Sequence, residues 1–395
     1  MPRKTTMPDV ARAAGVSVMT VSYTYNQPDR VASATRERVL QAAAQLGYPG
    51  PDAAARNLRS GRTGNLGVIL GEQLTYAFAD PQATAFLAGI AEVCTEHGMG
   101  LTLIPISGGP ADAERVRHAA VDGFVVWTTV DDDPVLAAAV ASKLPAVVHG
   151  GPAVEGLHLV TIDNRAAAAA IGAVGLRGAT RPAVLSFPLD NHRNAGLVFG
   201  PDPASAAFPV TRDRLAGYRA AVTSAGLDWA DVPVAVLTRN DGTEAGHALR
   251  QLPDDTDTVL AMSDELALAA LRTTTHTVPG QLAITGWDDT AAAAEAGLTT
   301  VAQSLQDQGR RCARLVVGDP PGPEPSWTVI TRDSTRGSHP IRHSLCDLDL
   351  AKIIHETYNR ILSRIEDQLI TSTAFFLINS LDHEKRASVR YDRGR

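Results

Sequence analysis

Thr6, Ser17, Thr20, Ser22, Asn26 and Thr35 put six short hydroxyl or amide side chains into the first 35 residues. Such groups donate to phosphate oxygens, and do so best in a positive field. Residues 1–62 supply that field, with nine Arg and Lys against four Asp and Glu. Bond-making chemistry is poorly provided for. Cys94, Cys312 and Cys346 lie far apart, so they suggest neither a disulfide framework nor a paired-cysteine metal site. Gly172-x-x-Gly175-x-x-Gly178 lacks the Gly-x-Gly-x-x-Gly spacing of a dinucleotide loop, and it ends a helix instead of opening one. The sequence holds no Walker-type phosphate loop, no His-Glu-x-x-His metal motif and no nucleophile elbow. The expectation is a protein that is not an enzyme and uses no cofactor or metal.

The net charge of −7 over 395 residues is unevenly spread. The head carries +5 and residues 336–395 carry +2, which leaves −14 for residues 63–335. An acidic body repels phosphate, so only the head is expected to touch nucleic acid. A composition of 44% hydrophobic and 20% charged residues suits a folded globular chain. No apolar run reaches 18 residues, and no apolar segment follows Met1-Pro2-Arg3-Lys4. Neither a membrane span nor a secretory signal is expected, and the cytoplasm is the expected compartment.

The elements that must carry these side chains are legible from caps and periodicity. Thr6 can cap a first helix, with Pro8 in its first turn, Asp9 at the positive end of the dipole, and Val10, Ala11 and Ala14 at helical spacing. Gly15 stops it, and Ser17 can cap a second helix running through Val18 to about Tyr25. Helix, short Gly-containing turn, helix is the helix-turn-helix pattern. A third helix from Ser33 to Gly47 offers Val39, Leu40, Ala43 and Leu46 as its core face, and Asp52–Leu58 reads as a short fourth. From Asn65 onward, apolar runs alternate with Ala-rich helices such as Thr84–His97 and Arg214–Ala225. The runs read as buried strands near residues 66–70, 101–104, 123–127, 146–148, 159–162, 183–185, 234–237, 258–261 and 282–285. This alternation predicts parallel sheets covered on both faces, and about 270 residues suit two α/β lobes better than one.

The run Asp9-Val-Ala-Arg-Ala-Ala-Gly15-Val-Ser17-Val-Met-Thr20-Val-Ser22-Tyr-Thr-Tyr-Asn26 resembles the headpiece of the LacI/GalR (lactose-repressor) family of transcription regulators. The resemblance continues in Val31-Ala-Ser33-Ala-Thr35-Arg36, Leu46-Gly47-Tyr48 and Arg56-Asn-Leu58-Arg-Ser-Gly61. It runs on through Arg214-Leu-Ala-Gly217-Tyr218, Ser263-Asp264-Glu265, Gly286-Trp287-Asp288-Asp289 and Leu298-Thr-Thr300-Val-Ala-Gln303, covering residues 1–335. It implies an all-α helix-turn-helix headpiece (residues 1–50) and a hinge (51–63). After these comes a two-lobed α/β domain of the periplasmic-binding-protein type, with doubly wound parallel sheets (64–335). It also implies a repressor that binds a pseudo-palindromic operator as a homodimer.

On that resemblance the second helix enters the major groove with its first turn on base edges. Val18 and Met19 then meet bases, with Tyr23 a turn later. Thr6, Ser17, Thr20, Ser22, Asn26 and Thr35 hold the phosphate backbone. Packing in the head's own core is the alternative for Val18 and Met19, although Val21 suits that role better. The family often has Arg where Tyr23 stands, and a single phenol cannot make the bidentate contact to guanine. Seven residues cannot hold a helix alone in water, so Asp52–Leu58 is expected to fold only as a pair on the minor groove. There Leu58 is the wedge, Ala55 permits close approach, and Arg56 faces DNA; a plain core role is the alternative for Leu58.

The body's resemblance to sugar-binding proteins places a small effector, a sugar or sugar-like metabolite, between the lobes. Arg214 and Asp288 are the cleft residues it implies, a bidentate donor and an acceptor for vicinal hydroxyls. Ser263 adds a hydroxyl, and Tyr76 and Phe78 offer faces for stacking. Asp264 reads better as a helix cap than as a ligand, Asp289 as structural, and His149 equally as loop or cleft. A small-molecule-binding protein with no DNA function is the other reading of the body. The first 335 residues hold 59 alanines and the last 60 hold 3, which marks residues 336–395 as a separate extension. An apolar stripe, Leu350, Ile354, Tyr358, Ile361 and Ile365, leaves two readings open for it: a tetramerising helix, or an appended segment of foreign coding origin.

Overall fold

A computed structural model describes residues 5–50, 61–71, 75–109 and 111–337, apart from the side chain of Tyr76. The expectations for Ala55, Arg56 and Leu58, and for the extension from residue 338 on, lie outside the described residues.

The head is three helices: α1 (Met7–Ala14), α2 (Val18–Asn26) and α3 (Ser33–Gln45). Asp9 accepts both the backbone N–H and the hydroxyl of Thr6, at 3.1 and 2.6 Å, which anchors the start of α1. Gly15 ends α1 in the left-handed region at φ 63°, a conformation glycine takes without strain. Ser17 then caps α2 by accepting the N–H of Thr20 at 3.0 Å. Val10, Ala11, Ala14, Val21, Val39, Ala42 and Ala43 form the core, with Tyr25 and Tyr48 meeting edge to face beside it. Leu40 and Leu46, expected in this core, are each 40% exposed. The inner face of α3 is Val39 and Ala43, as expected, with the small Ala42 in place of the leucines.

The body is two doubly wound lobes. The first contains β1 (Asn65–Leu70), α4 (Tyr76–Ala79), α5 (Pro81–Glu96), β2 (Gly100–Pro105), α6 (Ala111–His118), β3 (Phe124–Trp127), α7 (Pro134–Ser142), β4 (Ala146–His149) and β5 (His158–Val160). The second contains α8 (Asn164–Gly175), β6 (Pro182–Ser186), β7 (Gly196–Phe199), α9 (Pro209–Ser224), β8 (Pro233–Val236), α10 (Gly242–Leu249), β9 (Thr258–Ala261), α11 (Asp264–Thr273), β10 (Ala283–Asp288), α12 (Ala291–Glu295) and β11 (Thr299–Ala302). The chain then returns to the first lobe as α13 (Leu305–Val317), and once more to the second as β12 (Thr328–Ile330).

The first sheet is all parallel, in the order β2-β1-β3-β4-β5. The second has the order β12-β11-β10-β9-β6-β8-β7, parallel except for its two edge strands. Each strand expected from the sequence is present; β7, β11 and β12 were not anticipated. Their sequences are short, and β7 and β12 are antiparallel edges that never become fully buried. Central strands read as continuous apolar runs because helices cover both faces, as in β1, where Leu66, Val68, Ile69 and Leu70 are all buried. α13 completes the first lobe: Leu305, Cys312, Ala313 and Val316 join the core under β1. The glycines of the rejected dinucleotide pattern have a packing role. A Cβ on Gly172 would meet that of Ala221 at 2.8 Å, and Gly175 lies against Leu260 and Thr285. Arg336 donates to the carbonyl of Asp257 at 2.7 Å, so the described body continues past Thr335. Among the described residues, no helix is long and apolar enough to cross a membrane.

Candidate nucleic-acid interface and ligand cleft

In the head, the first turn of α2 stands out. Val18 is 45% and Met19 60% exposed, so neither packs in the core, while Val21 on the opposite side is fully buried. Apolar side chains held uncovered at the N-terminus of a capped helix are placed for contact with another surface. Tyr23 is half-buried, with the guanidinium of Arg30 over its ring at 5.9 Å. The short polar groups are partly engaged with each other. Ser17 Oγ and Thr20 Oγ1 are 2.9 Å apart, and Asn26 donates to Ser22 Oγ at 3.3 Å. Thr6 is exposed and Thr35 half-buried.

In the body, both switch points of strand order, between β1 and β3 and between β6 and β9, open onto one cavity. That is where open α/β sheets place ligands. The cavity holds about 890 Å³ counting its mouth. Gly71 and Trp127 line it from the first lobe, and Phe187, Arg214 and Asp288 from the second. Gln303 lines it from the crossover to α13.

Arg214, in α9, is buried and well supported. Its Nε donates to Asn164 Oδ1 at 3.0 Å, its Nη1 donates to the carbonyl of Met262, and its plane lies 3.8 Å from the Trp287 ring centroid. Burial pushes its pKa down to about 10, against the pull of Asp288. Asp288 ends β10 at φ 114°, a conformation that strains a non-glycine residue. Its Oδ1 accepts from Gln303 Nε2 at 2.8 Å. Burial raises its carboxyl well above the usual range, Arg214 opposes that rise, and Asp264 adds to it.

The strained turn is braced from behind. Asp264 accepts the N–H of Thr290 at 2.7 Å and the hydroxyl of Thr300 at 2.6 Å, and Arg332 pairs with Asp289 at 2.6 Å. Asp264 is therefore a brace and not the helix cap. The cap of α11 is Ser263, which accepts the N–H of Leu266 and donates to Asn240 Oδ1 at 2.6 Å.

Of the expected cleft residues, the structure brings Arg214 and Asp288 together at the cavity. Ser263 is buried behind the wall, because capping and Asn240 consume its hydroxyl. Phe78 is 69% exposed on α4 and does not line the cavity. The side chain of Tyr76 lies outside the described residues. His149 is neither loop nor cleft: it is buried at the end of β4, with its Nε2 2.9 Å from Gln308 Oε1. Burial lowers its pKa to about 4, and the bond to Gln308 offsets part of that. Asn164, Trp287 and Gln303 were missed. A usable signal existed for Gln303, which directly follows the C-terminal end of a strand in a doubly wound lobe.

Direct contacts also bridge the lobes around the cavity. Arg193 Nη2 donates to the carbonyl of Gly71 at 2.8 Å, and Asn240 donates to Asp80 Oδ2 at 3.1 Å. Arg212 holds Asp131 with two bonds, at 2.7 and 3.2 Å.

Residues 6–50 match the family described as bacterial regulatory proteins, lacI family, and residues 190–338 match a periplasmic binding protein-like domain. The HTH-type transcriptional regulator Rv3575c of Mycobacterium tuberculosis is 38% identical over 348 residues, covering 85% of this chain and 96% of its own length. A solved LacI-family transcriptional regulator from Corynebacterium glutamicum is 30% identical with a TM-score of 0.63, covering 84% of this chain and 99% of that one. A solved complex of the transcriptional regulator CelR with cellobiose is 27% identical with a TM-score of 0.55, over 84% and 99% of the two chains.

Proposed function

The chain belongs to the lacI family of bacterial regulatory proteins and is a transcription regulator, and from that premise we propose that it represses by binding a pseudo-palindromic operator as a homodimer, released or retained by a sugar-like effector in its cleft. The observation that carries this reading is the uncovered apolar pair Val18 and Met19, on the first turn of a capped helix in a +5 head. In the major groove such a pair meets thymine methyls and base edges, while Thr6, Ser17, Thr20, Ser22, Asn26 and Thr35 set register on phosphates. Tyr23 replaces a bidentate guanine reader in this scheme, so the preferred half-site differs from that of family members carrying Arg there.

Arg214 and Asp288 are the proposed effector contacts. Nε and Nη1 of Arg214 are taken up by protein acceptors, which leaves Nη2 for a ligand oxygen. The carboxylate oxygens of Asp288 face a ligand hydroxyl, and Trp127 and Phe187 supply apolar faces to a ring. The cellobiose complex of CelR supports a sugar as the class of occupant. Homodimerisation follows from the geometry of operator reading, in which two half-sites face a two-fold axis.

Selection of duplexes from random DNA, followed by gel shift over a salt series, tests the first part. The expected result is an inverted repeat whose affinity falls steeply with salt. Enrichment of single half-sites, or no enrichment at all, refutes it. Thermal shift against a panel of neutral and acidic sugars, cellobiose included, tests the second part. Stabilisation by some member that is lost in Asp288→Asn is expected.

A further inference from the structure

A line of hydrogen bonds joins the cleft wall to the core of the first lobe. Gln303 donates through Nε2 to Asp288 Oδ1 at 2.8 Å, and its Oε1 accepts from Gln308 Nε2 at 3.1 Å. Gln308, in α13, offers its own Oε1 to His149 Nε2 at 2.9 Å. Gln308 and His149 are both buried. With Asp288 Oδ1 unprotonated, the direction of every bond is forced. Gln303 must turn its amide nitrogen to the carboxylate and its oxygen to Gln308. Gln308 must then turn its oxygen to His149, which puts the imidazole proton on Nε2 and leaves Nδ1 bare. Nδ1 is buried and has no hydrogen-bond partner among the described residues. Here it is the far end of a chain whose direction is set in the cleft.

The near end of the first lobe is tied to two helices. Phe86 of α5 lies against the His149 ring, 4.5 Å between centroids, and stacks on Trp127 at 5.1 Å. α5 and α13 meet backbone to backbone. A Cβ on Gly89 would come within 2.0 Å of the Gln306 carbonyl oxygen, and one on Gly309 within 2.2 Å of the Phe86 carbonyl oxygen. Helices in such contact shift as one body, so a displaced Gln308 carries both.

We propose that Gln303, Gln308 and His149 form a coupling relay, which reports the hydrogen-bonding state of Asp288 in the cleft to the α5–α13 pair of the first lobe. A ligand that donates to Asp288 Oδ1 displaces the Gln303 amide. Gln303 is then free to turn over, Gln308 loses its fixed direction, and the tautomer of His149 is released. Gln308 and His149 are positioning residues. Only Gln303 among the three lines the cavity. The inference rests on the cleft being the effector site, yet its test needs no effector.

Histidine-selective nitrogen NMR on the full-length, ligand-free protein reads the His149 tautomer, and amide hydrogen exchange reads α5 and α13. Native His149 is expected as the Nε2–H form. Gln303→Met, which removes no group that touches His149, is expected to mix the two tautomers as Gln308→Met does. Exchange in α5 and α13 should rise about tenfold, the usual effect of losing one buried hydrogen bond. Arg239→Met, a cleft residue outside the relay and outside both helices, should change neither reading. A native His149 spectrum in Gln303→Met overturns the relay, and unchanged exchange overturns its link to the helices. Should Gln303→Met fail to fold, Gln303→Leu removes the same two bonds with a smaller apolar side chain, and the same tautomer shift is expected. A sugar panel that leaves the wild-type protein unmoved while the relay signature persists counts against the effector-site reading alone.

Discussion

Acidification should destabilise this protein through one buried imidazole. The His149 ring is held neutral, with its pKa lowered by burial from 6.5 to about 4. Between those values the unfolded chain takes up a proton that the folded chain refuses, so stability rises with pH across that window. The contribution is complete above pH 6.5 and is lost progressively as the pH falls to about 4. Linkage over this pKa difference gives a loss of about 1 kcal/mol at pH 5.5 and about 2 kcal/mol at pH 4.5 relative to pH 7. Asp264 and Asp288 act in the opposite sense, because their raised folded pKa values let the native state keep protons longer. The effect of His149 is therefore read as a difference. Urea unfolding of the wild type and of His149→Phe is followed by tryptophan fluorescence at pH 7, 5.5 and 4.5. The variant has a constant offset from the unpaired Gln308 oxygen but no imidazole to protonate, so the two curves should converge as the pH falls. Curves that stay parallel from pH 7 to 4.5 refute the buried neutral imidazole.

Arg214→Ala should cost ~3–5 kcal/mol, the upper range for a buried side-chain truncation, because it strands Asn164 and the Met262 carbonyl, uncovers Trp287 and removes the nearby positive charge from Asp288. By thermal melting this is a fall of roughly 10 °C, whereas Asp288→Asn should melt within a few degrees of the wild type while losing the sugar response. Gly309→Ala puts a methyl group against the Phe86 carbonyl, and overpacking of ~1–3 kcal/mol should outweigh the ~1 kcal/mol gain in helix propensity. An unchanged or raised melting temperature would show that α5 and α13 are free to separate. Met19→Asp should leave melting unaltered, since the side chain is largely exposed, yet weaken operator binding at least about tenfold in gel shift. Equal affinity for the operator in that variant removes the first turn of α2 from the interface.

The parts of this molecule that could be read from sequence are those where one local rule decides. Ser17 caps α2 and Gly15 ends α1 because each follows from the chemistry of a single residue. The central strands were legible because burial on both faces makes their sequences uniformly apolar. Leu40 and Leu46 misled because periodicity reports which residues are able to be buried, while the spacing of three short helices decides which of them are. In the cleft, Arg214 and Asp288 could be placed by resemblance. Asn164 and Gln308 could not, since each matters only through a partner 50 or 159 residues away. Ser263 illustrates the converse: its hydroxyl had the right neighbourhood, but the helix cap and Asn240, which stands between it and the cavity, claim it first.

Because the chain passes between the lobes three times, the lobe that is synthesised first is closed only after the central sheet of the second has been made. β1 to β5 leave the ribosome with the face of their sheet that belongs to α13 bare, and Leu305–Val317 arrive only after the whole of the second lobe's central sheet. At synthesis rates of about 5–20 residues per second, that apolar face waits on the order of 10–30 seconds for its cover. Throughout that interval the nascent chain offers a chaperone, or another nascent chain of the same kind, a surface that the mature protein never shows.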